Sequence, residues 1–392
     1  MQLDMNGIED NALTAKRAKS AKILLNTLVF FALFAVNFSC APITTPPPTP
    51  SFMPQPFTTE IIVRTAENFH TPADVTAFVE MAAQHHVNVI SLLVKQDEDA
   101  FVESGQVYYR SSIAPTAPGY MRFDVLQTML DEAHARGIQV RAWMPQFHDQ
   151  VAAKKHPEWQ MMALADGQVI PYTGSNQTEY FVNPLHPDVQ AYELSLIEEV
   201  VTKYPVDGIM LDWIRFDNFN MDVSDFTRRE YQSEFGINPL SLDLSAPSPA
   251  LDQWNSFRTD GIAAYVERVR QIIPAKIHLG VYILPPEFVE VGQDAAKFNM
   301  HVDLLAPMCY FSDWGYPLEW FWENCLSSAA QKSGPAALVP VLDSHLADDE
   351  YRQIFTHIRR DFPQVRMLSW FYHEQWTEMM FTRLGEIKKL GQ

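Results

Sequence analysis

The sequence predicts a single-domain (βα)8 barrel (TIM barrel, α/β class) with long insertions in its βα loops, and three observations carry that prediction. Short, continuous apolar runs alternate with amphipathic stretches through residues 59–392. Runs of that kind mark parallel strands covered on both faces. Eight of them can be counted, the number that closes a parallel barrel. No G-x-G-x-x-G turn or P-loop lysine follows an early strand, as a doubly wound sheet that cradles a nucleotide phosphate would require.

The elements follow in order. Glu60–Arg64 (EIIVR) is the first strand, and a helix over Pro72–His86 follows with Thr71 as its N-cap. Pro72 takes the first helical position, where the missing N–H has no partner to lose. Val87–Val94 is the second strand; a long loop to Met121 leads to a helix over Asp124–Arg136, closed by Gly137. Ile138–Met144 is the third strand, followed by a polar and aromatic excursion to Asn183 and a helix over Asp188–Lys203. Val206–Ile214 (VDGIMLDWI) is the fourth, with helices over Ser224–Phe235 and Pro249–Ile273. Ile277–Leu284 is the fifth, with a short helix around Gln293–Asn299, and Val302–Tyr310 is the sixth, with a helix over Pro317–Lys332. Ala337–Leu342 and its helix Asp348–Arg360 make the seventh unit; Val365–Tyr372 and Thr377–Lys389 make the eighth.

Ahead of the barrel, Lys16, Arg17, Lys19 and Lys22 precede an apolar run from Ile23 to Phe38, the pattern of an export signal over residues 1–40. Asn26, Thr27 and Asn37 interrupt the run, which falls short of the roughly 20 apolar residues that span a bilayer. Cys40 after Asn37-Phe38-Ser39 resembles a bacterial lipobox and is the expected lipidation site; ordinary signal-peptidase cleavage after Ser39-Cys40-Ala41 is the competing expectation. Residues 41–58 are a proline- and threonine-rich tether, a composition that favours extended conformations and packs no core. The expected location is therefore extracytoplasmic, with a membrane partner through a possible lipid anchor.

Charge narrows the partners. The formal net charge is −19, which repels nucleic acid and anionic lipid, so no nucleic-acid partner is expected. Three cysteines are too few for a disulfide scaffold. Cys309 and Cys325 could pair in an oxidising compartment, but the preferred reading is two buried thiols, because spacing alone does not bring sulfurs within bonding reach.

A barrel of this type binds substrate at the C-terminal ends of its strands. On the fourth strand, Ile209-Met210-Leu211 runs into Asp212. A carboxylate ending a buried strand is costly unless it is paired or used. Asp212 is the expected nucleophile or base, with an Asp212–Arg215 ion pair as the structural alternative, and Asp207 at the other end of the strand is expected to be structural. Glycoside hydrolysis needs a second carboxyl group as acid. Asp313 in CYFSDWG and Glu287 in LPPEF compete for that role, with preference for Asp313. Arg64, Trp143, Arg215, Tyr310, Trp314, Asp343, His345, His373 and Glu374 lie at or near strand ends and are the expected substrate contacts. Their aromatic members suit stacking on sugar C–H faces. Asp343 with His345, and His373 with Glu374, offer metal-ligand types, but no H-x-x-x-H or H-x-H pattern accompanies them; no metal or cofactor is expected.

The motifs, taken in order, resemble the glycosyl-hydrolase-like family 10 of bacterial envelope barrels. VDGIMLDWIRF resembles the family's strand-four D-G-I-x-x-D-x-x-R signature. FDVLQTMLDEAHARGIQVRAWM resembles its helix and G-I-x-V-x-A-W stretch; HPEWQMM with FVNPLHPDVQAY its H-P-x-W … N-P-x-x-P-x-V segment; VDLLAPMCY its strand-six D-x-L-x-P-x-x-Y. The resemblance implies a (βα)8 hydrolase of a polysaccharide, with peptidoglycan glycan strands as one such substrate, and Asp212 as the strand-four carboxylate. Two rival classes stay open on sequence: a non-catalytic carbohydrate-binding envelope protein and a metal-dependent polysaccharide deacetylase.

Overall fold

The computed structural model describes residues 57–97, 103–174, 179–243, 246–285, 291–372 and 374–391. The expected export signal, most of the tether and Cys40 lie outside them, as do Glu287 and His373.

All eight barrel strands form, most of them a residue or two shorter at each end than expected. They are β1 (Thr58–Val63), β2 (Val89–Leu93), β3 (Gln139–Pro145), β6 (Gly208–Asp212), β7 (His278–Ile283), β8 (Leu304–Pro307), a seventh position, and β11 (Met367–Phe371). Every neighbouring pair is parallel, and β1 pairs β2 on one side and β11 on the other. The sixth strand ends at Pro307 rather than Tyr310. The seventh is split: β9 (Ala337–Leu338) pairs β8, and β10 (Val341–Asp343) pairs β11. Pro340 between them has no N–H to give to a ladder. A single parallel bridge, Met308 to Val341, carries the pairing across the gap and closes the ring.

The helices cover the barrel wall. Helix α1 (Pro72–Gln84) begins at the expected N-cap, and the structure adds a capping box, Thr71 accepting from Asp74 N while the Asp74 side chain takes the Thr71 N–H. Helix α2 (Val125–His134) has Asp124 as its cap rather than its first residue, and Gly137 after it adopts a left-handed φ of 71°. Helices α3 (Pro187–Lys203), α4 (Asp225–Phe235), α5 (Pro249–Ile272), α6 (Asp348–Asp361) and α7 (Glu378–Leu390) match expectation closely. The helix expected over Pro317–Lys332 begins only at Phe321, with a π-helical stretch Phe321–Leu326 running into Ser327–Lys332.

Two findings correct the sequence reading. Cys309 and Cys325 are joined in a disulfide, not held as separate thiols: their Cα atoms stand 5.8 Å apart, within bridging distance. The long excursion after β3 contains an antiparallel hairpin, β4 (Met162–Ala165) and β5 (Gln168–Pro171). Its turn is Asp166-Gly167, both with positive φ (50° and 74°), the backbone that two-residue hairpin turns demand.

Inside the barrel, Arg141 Nη1 meets Glu60 Oε1 at 2.9 Å, and the Ser369 hydroxyl donates to the other Glu60 oxygen. Such a buried pair survives because both partners are satisfied. Gly208, opposite Arg141 in the register, makes room for it: a Cβ there would stand 3.0 Å from Arg141 Cγ.

Candidate active site

Asp212 is the last residue of β6, half-buried at the C-terminal end of the barrel strands. Both carboxylate oxygens accept hydrogen bonds: Oδ1 from Trp213 N at 2.7 Å and Oδ2 from Trp143 Nε1 at 3.0 Å. Burial, reinforced by the nearby charge of Asp97, pushes the carboxyl up to about 6, against the pull of these bonds and of Arg215. Asp212 is thus a carboxyl that changes charge near neutrality.

The Asp212–Arg215 ion pair, the structural alternative for this carboxylate, does not form. Arg215 Nη1 bonds Asp217 Oδ1 at 3.1 Å, and its guanidinium lies 4.0 Å from the centroid of the Trp213 ring. Trp213 itself has φ 52°, a left-handed conformation unusual for a bulky residue. At the opposite end of the strand, Asp207 accepts from Val140 N and contacts His134 Nε2, each at 2.8 Å, the structural part expected of it.

The other expected residues fall into two groups. Trp143, Tyr310 and Trp314 form an arc of rings joined by Phe371. Trp143 to Phe371 is 5.9 Å, Phe371 to Tyr310 is 6.2 Å, and Tyr310 to Trp314 is 5.9 Å between centroids. Tyr310 is the hub: burial first, then the charges of Asp212, Asp343 and Asp313, all push its phenol well above the ordinary range. Three carboxyls therefore lie within electrostatic reach of one phenol. Asp313 is exposed beside Trp314, and Asp343 is half-buried with its Oδ1 accepting from His345 N at 2.8 Å. The second group stands apart from the arc's contacts: His345 is exposed with its ring 5.1 Å from Tyr372, and Glu374 is exposed, accepting from the Tyr372 hydroxyl at 3.2 Å. Among the described residues no group of His, Cys, Asp and Glu is arranged to hold a metal ion.

Arg64 is buried and fully engaged, with Nη2 at 2.7 Å from Asp97 Oδ1, Nε at 2.8 Å from Glu67 Oε1, and its guanidinium 5.9 Å from the Trp143 ring. It is a brace behind Trp143 rather than an open contact. Four residues join those expected as catalytic groups or substrate contacts, and three of them, Asp97, His148 and Asp217, are polar residues that follow apolar strand runs in the sequence. Asp97 adds, after burial, to the upward push on the Asp212 carboxyl. Phe371 completes the aromatic arc. His148, fully buried, stacks on Phe181 at 4.3 Å and meets Trp213 edge-on at 5.0 Å. Burial, with Arg215 nearby, holds its imidazole down to about 3, and neither ring nitrogen has a hydrogen-bond partner among the described residues. Asp217 joins Arg215 to the hairpin through the Tyr172 hydroxyl. Asp97, Phe371 and Asp217 each lie within five residues of a strand end, the one signal that sequence offered for them.

Solved structures with this architecture include the PgaB (BpsB) glycoside hydrolase domain of Bordetella bronchiseptica, with a TM-score of 0.66 at 14% identity over 86% of this chain and 98% of that domain. Among sequences, an S-layer-related protein of Niallia circulans is 26% identical over 237 residues, 53% of this chain and 15% of that protein. The glycosyl hydrolase DigH of Escherichia coli O6:H1 is 33% identical over 171 residues, 42% of this chain and 36% of DigH. The chain thus matches well under two thirds of the length of either relative. The sequence profile of the family described as Glycosyl hydrolase-like 10 matches residues 61–318, a span that holds Asp212, the arc residues Trp143, Tyr310 and Trp314, and most of the barrel. On that match, the chain belongs to the Glycosyl hydrolase-like 10 family.

Proposed function

We propose that this protein hydrolyses glycosidic bonds of an envelope polysaccharide, peptidoglycan glycan strands being the leading substrate, with Asp212 as nucleophile or base. The observation that carries the reading is the aromatic arc that meets Asp212: the Trp143 indole donates to its carboxylate, and the rings continue through Phe371 to Tyr310 and Trp314, with Asp343 and Asp313 within electrostatic reach of the Tyr310 phenol. A two-carboxyl mechanism needs one group to attack or activate water and another to protonate the leaving oxygen. The Trp213 and Trp143 N–H groups favour the ionised form of Asp212, which suits attack. Asp313 is the proposed acid, exposed where a leaving group departs into solvent, and Glu287 is the second candidate. Trp143, Tyr310 and Trp314 supply stacking surface, and Arg215 and Asp343 polar contacts at the rim; His345, Glu374 and His373 are proposed outer contacts.

An extracytoplasmic location is part of the same proposal, with Cys40 as lipid anchor. Disulfides persist in oxidising compartments, and the Cys309–Cys325 bridge supports export. A relative named for an S-layer agrees with an envelope role. Among the described residues no helix is long and apolar enough to cross a membrane.

The test is product analysis by mass spectrometry after incubation with peptide-stripped peptidoglycan and a panel of other glycans. Wild type is expected to release shorter oligosaccharides, and Asp212→Asn to lose about 10⁴-fold in rate while still binding the glycan. Undiminished turnover by Asp212→Asn would remove Asp212 from the mechanism; absence of any product from wild type would remove hydrolysis.

A further inference from the structure

The β4–β5 hairpin and the connection that follows β6 are zipped together. Ala163 and Met221 form an antiparallel bridge. Leu164 N donates to Asn220 O at 3.0 Å, and Asn220 Nδ2 returns a bond to Leu164 O at 3.0 Å. Buried Asp222 accepts from Met162 N at 2.7 Å and from Asn183, Ser224 and Thr227 side chains. The hairpin is thereby fixed by bonds that do not involve the Tyr172 hydroxyl.

Tyr172, just past β5, reaches further. Its hydroxyl donates to Asp217 Oδ2, and Asp217 Oδ1 accepts from Arg215, whose guanidinium covers the Trp213 ring. The Tyr172 ring also lies 5.4 Å from Phe181, which with His148 packs on Trp213 at 5.6 and 5.0 Å. Trp213 is therefore gripped by two sets of groups, and Tyr172 touches both. The residue so gripped is the one with left-handed backbone, and that backbone aims its N–H at Asp212 Oδ1. A bulky residue keeps such a conformation only where its surroundings over-determine it.

We propose that the β4–β5 hairpin is a positioning element for Asp212, acting from Tyr172 through Asp217 and Arg215 to hold Trp213 left-handed and its N–H on the Asp212 carboxylate. The inference rests on Asp212 being the reacting carboxylate. Tyr172, Asp217 and Arg215 are positioning residues in this role. They set how well one hydrogen bond to the carboxylate is kept, and with it the pH at which that carboxylate ionises.

The test uses Tyr172→Phe and Asp217→Asn in the full chain, with Ile170→Ala at an exposed hairpin position as control. Two readouts are taken: kcat and KM on the glycan that wild type cleaves, and the ¹³C-carboxyl NMR titration of Asp212. The other groups that bear on Asp212 are Asp97, Arg215, the Trp143 indole, and the phenols of Tyr310 and Tyr282; Tyr172→Phe removes none of them and reaches Arg215 only through Asp217. A weakened Trp213 N–H bond raises the carboxyl. The Asp212 titration is therefore expected to move up by about half a unit. In parallel, kcat is expected to fall about tenfold with KM within about twofold, and Ile170→Ala should change neither. An Asp212 titration that matches wild type in both variants overturns the proposal, whatever happens to KM. If wild type cleaves no glycan, the hydrolase reading fails on its own, and the titration still decides whether the hairpin holds Asp212.

Discussion

Two clusters of this barrel contain carboxyl groups that burial has pushed upward, and they differ in what surrounds them. In the first, Lys95 Nζ sits between Asp149 Oδ2 at 2.9 Å and Glu193 at 2.7 Å, with Gln146 O at 2.9 Å, all with no exposure to solvent. Burial pushes Glu193 up to about 8 against the pull of Lys95, while Asp149 and Glu193 outweigh burial and hold the Lys95 ammonium above its usual range. In the second, Asp212 is half-buried, pushed up to about 6, bonded to two N–H donors and set among aromatic rings. The sealed cluster satisfies its own charges and leaves no room for a ligand. The strand-end cluster leaves its carboxyl without a compensating cation in contact. A perturbed carboxyl thus marks a site only when substrate can reach it.

The comparison can be broken most directly at Lys95. Lys95→Met leaves Asp149 buried without its cation, which costs about 3–5 kcal/mol. Urea melts should show that loss, with activity per folded molecule retained; a loss of activity in a stable Lys95→Met protein would place the sealed cluster in the mechanism. A smaller effect separates the clusters by pH. Asp212 has a folded pKa of about 6 above its ordinary 3.8, so the folded state holds that proton more tightly than the unfolded chain. The group's contribution to stability is full below about pH 4 and declines until about pH 6. Relative to Asp212→Asn, wild type should lose about 1–3 kcal/mol between those values, the lower figure allowing for its partial exposure. Parallel stability curves for the two proteins would refute the raised ionisation. The smallest change is expected for Glu193→Gln. Burial pushes Glu193 up to about 8, so a neutral side chain is expected to be tolerated there near pH 7 and stability to move by less than about 1 kcal/mol; a large loss would mean that Glu193 is ionised.

The same contrast explains what sequence could and could not reveal. The barrel was legible because each strand is a local apolar run and each helix carries its own caps, Thr71 and Asp124 among them. Asp212 was legible because it ends such a run. The Asp166-Gly167 turn was also written locally, flanked by short apolar stretches, and a stricter reading of that dipeptide would have found the hairpin. Contacts made by the closed barrel were out of reach. Lys95 and Glu193 lie 98 positions apart, Phe371 joins Trp143 only once the eighth strand returns beside the first, and Cys309 meets Cys325 only because a π-helical turn brings it there. Arg64 looked like a contact for substrate from its place after β1; only the fold reveals Asp97 and Glu67 waiting for it.

The broken seventh strand has a consequence for how the cylinder fails. The seam between the sixth and seventh positions is the shortest in the wall: β8 meets β9 at two residue pairs, and past Pro340 only the Met308–Val341 bridge continues it, whereas the other seams run through three to five consecutive pairs. Thermal breathing should therefore begin there, and amide deuterium uptake around 339–341 should outpace that of β2 and β3. Because this weak seam runs up to Asp343 and the segment that bears Tyr310, the first part of the wall to loosen on heating is the part facing the proposed glycan.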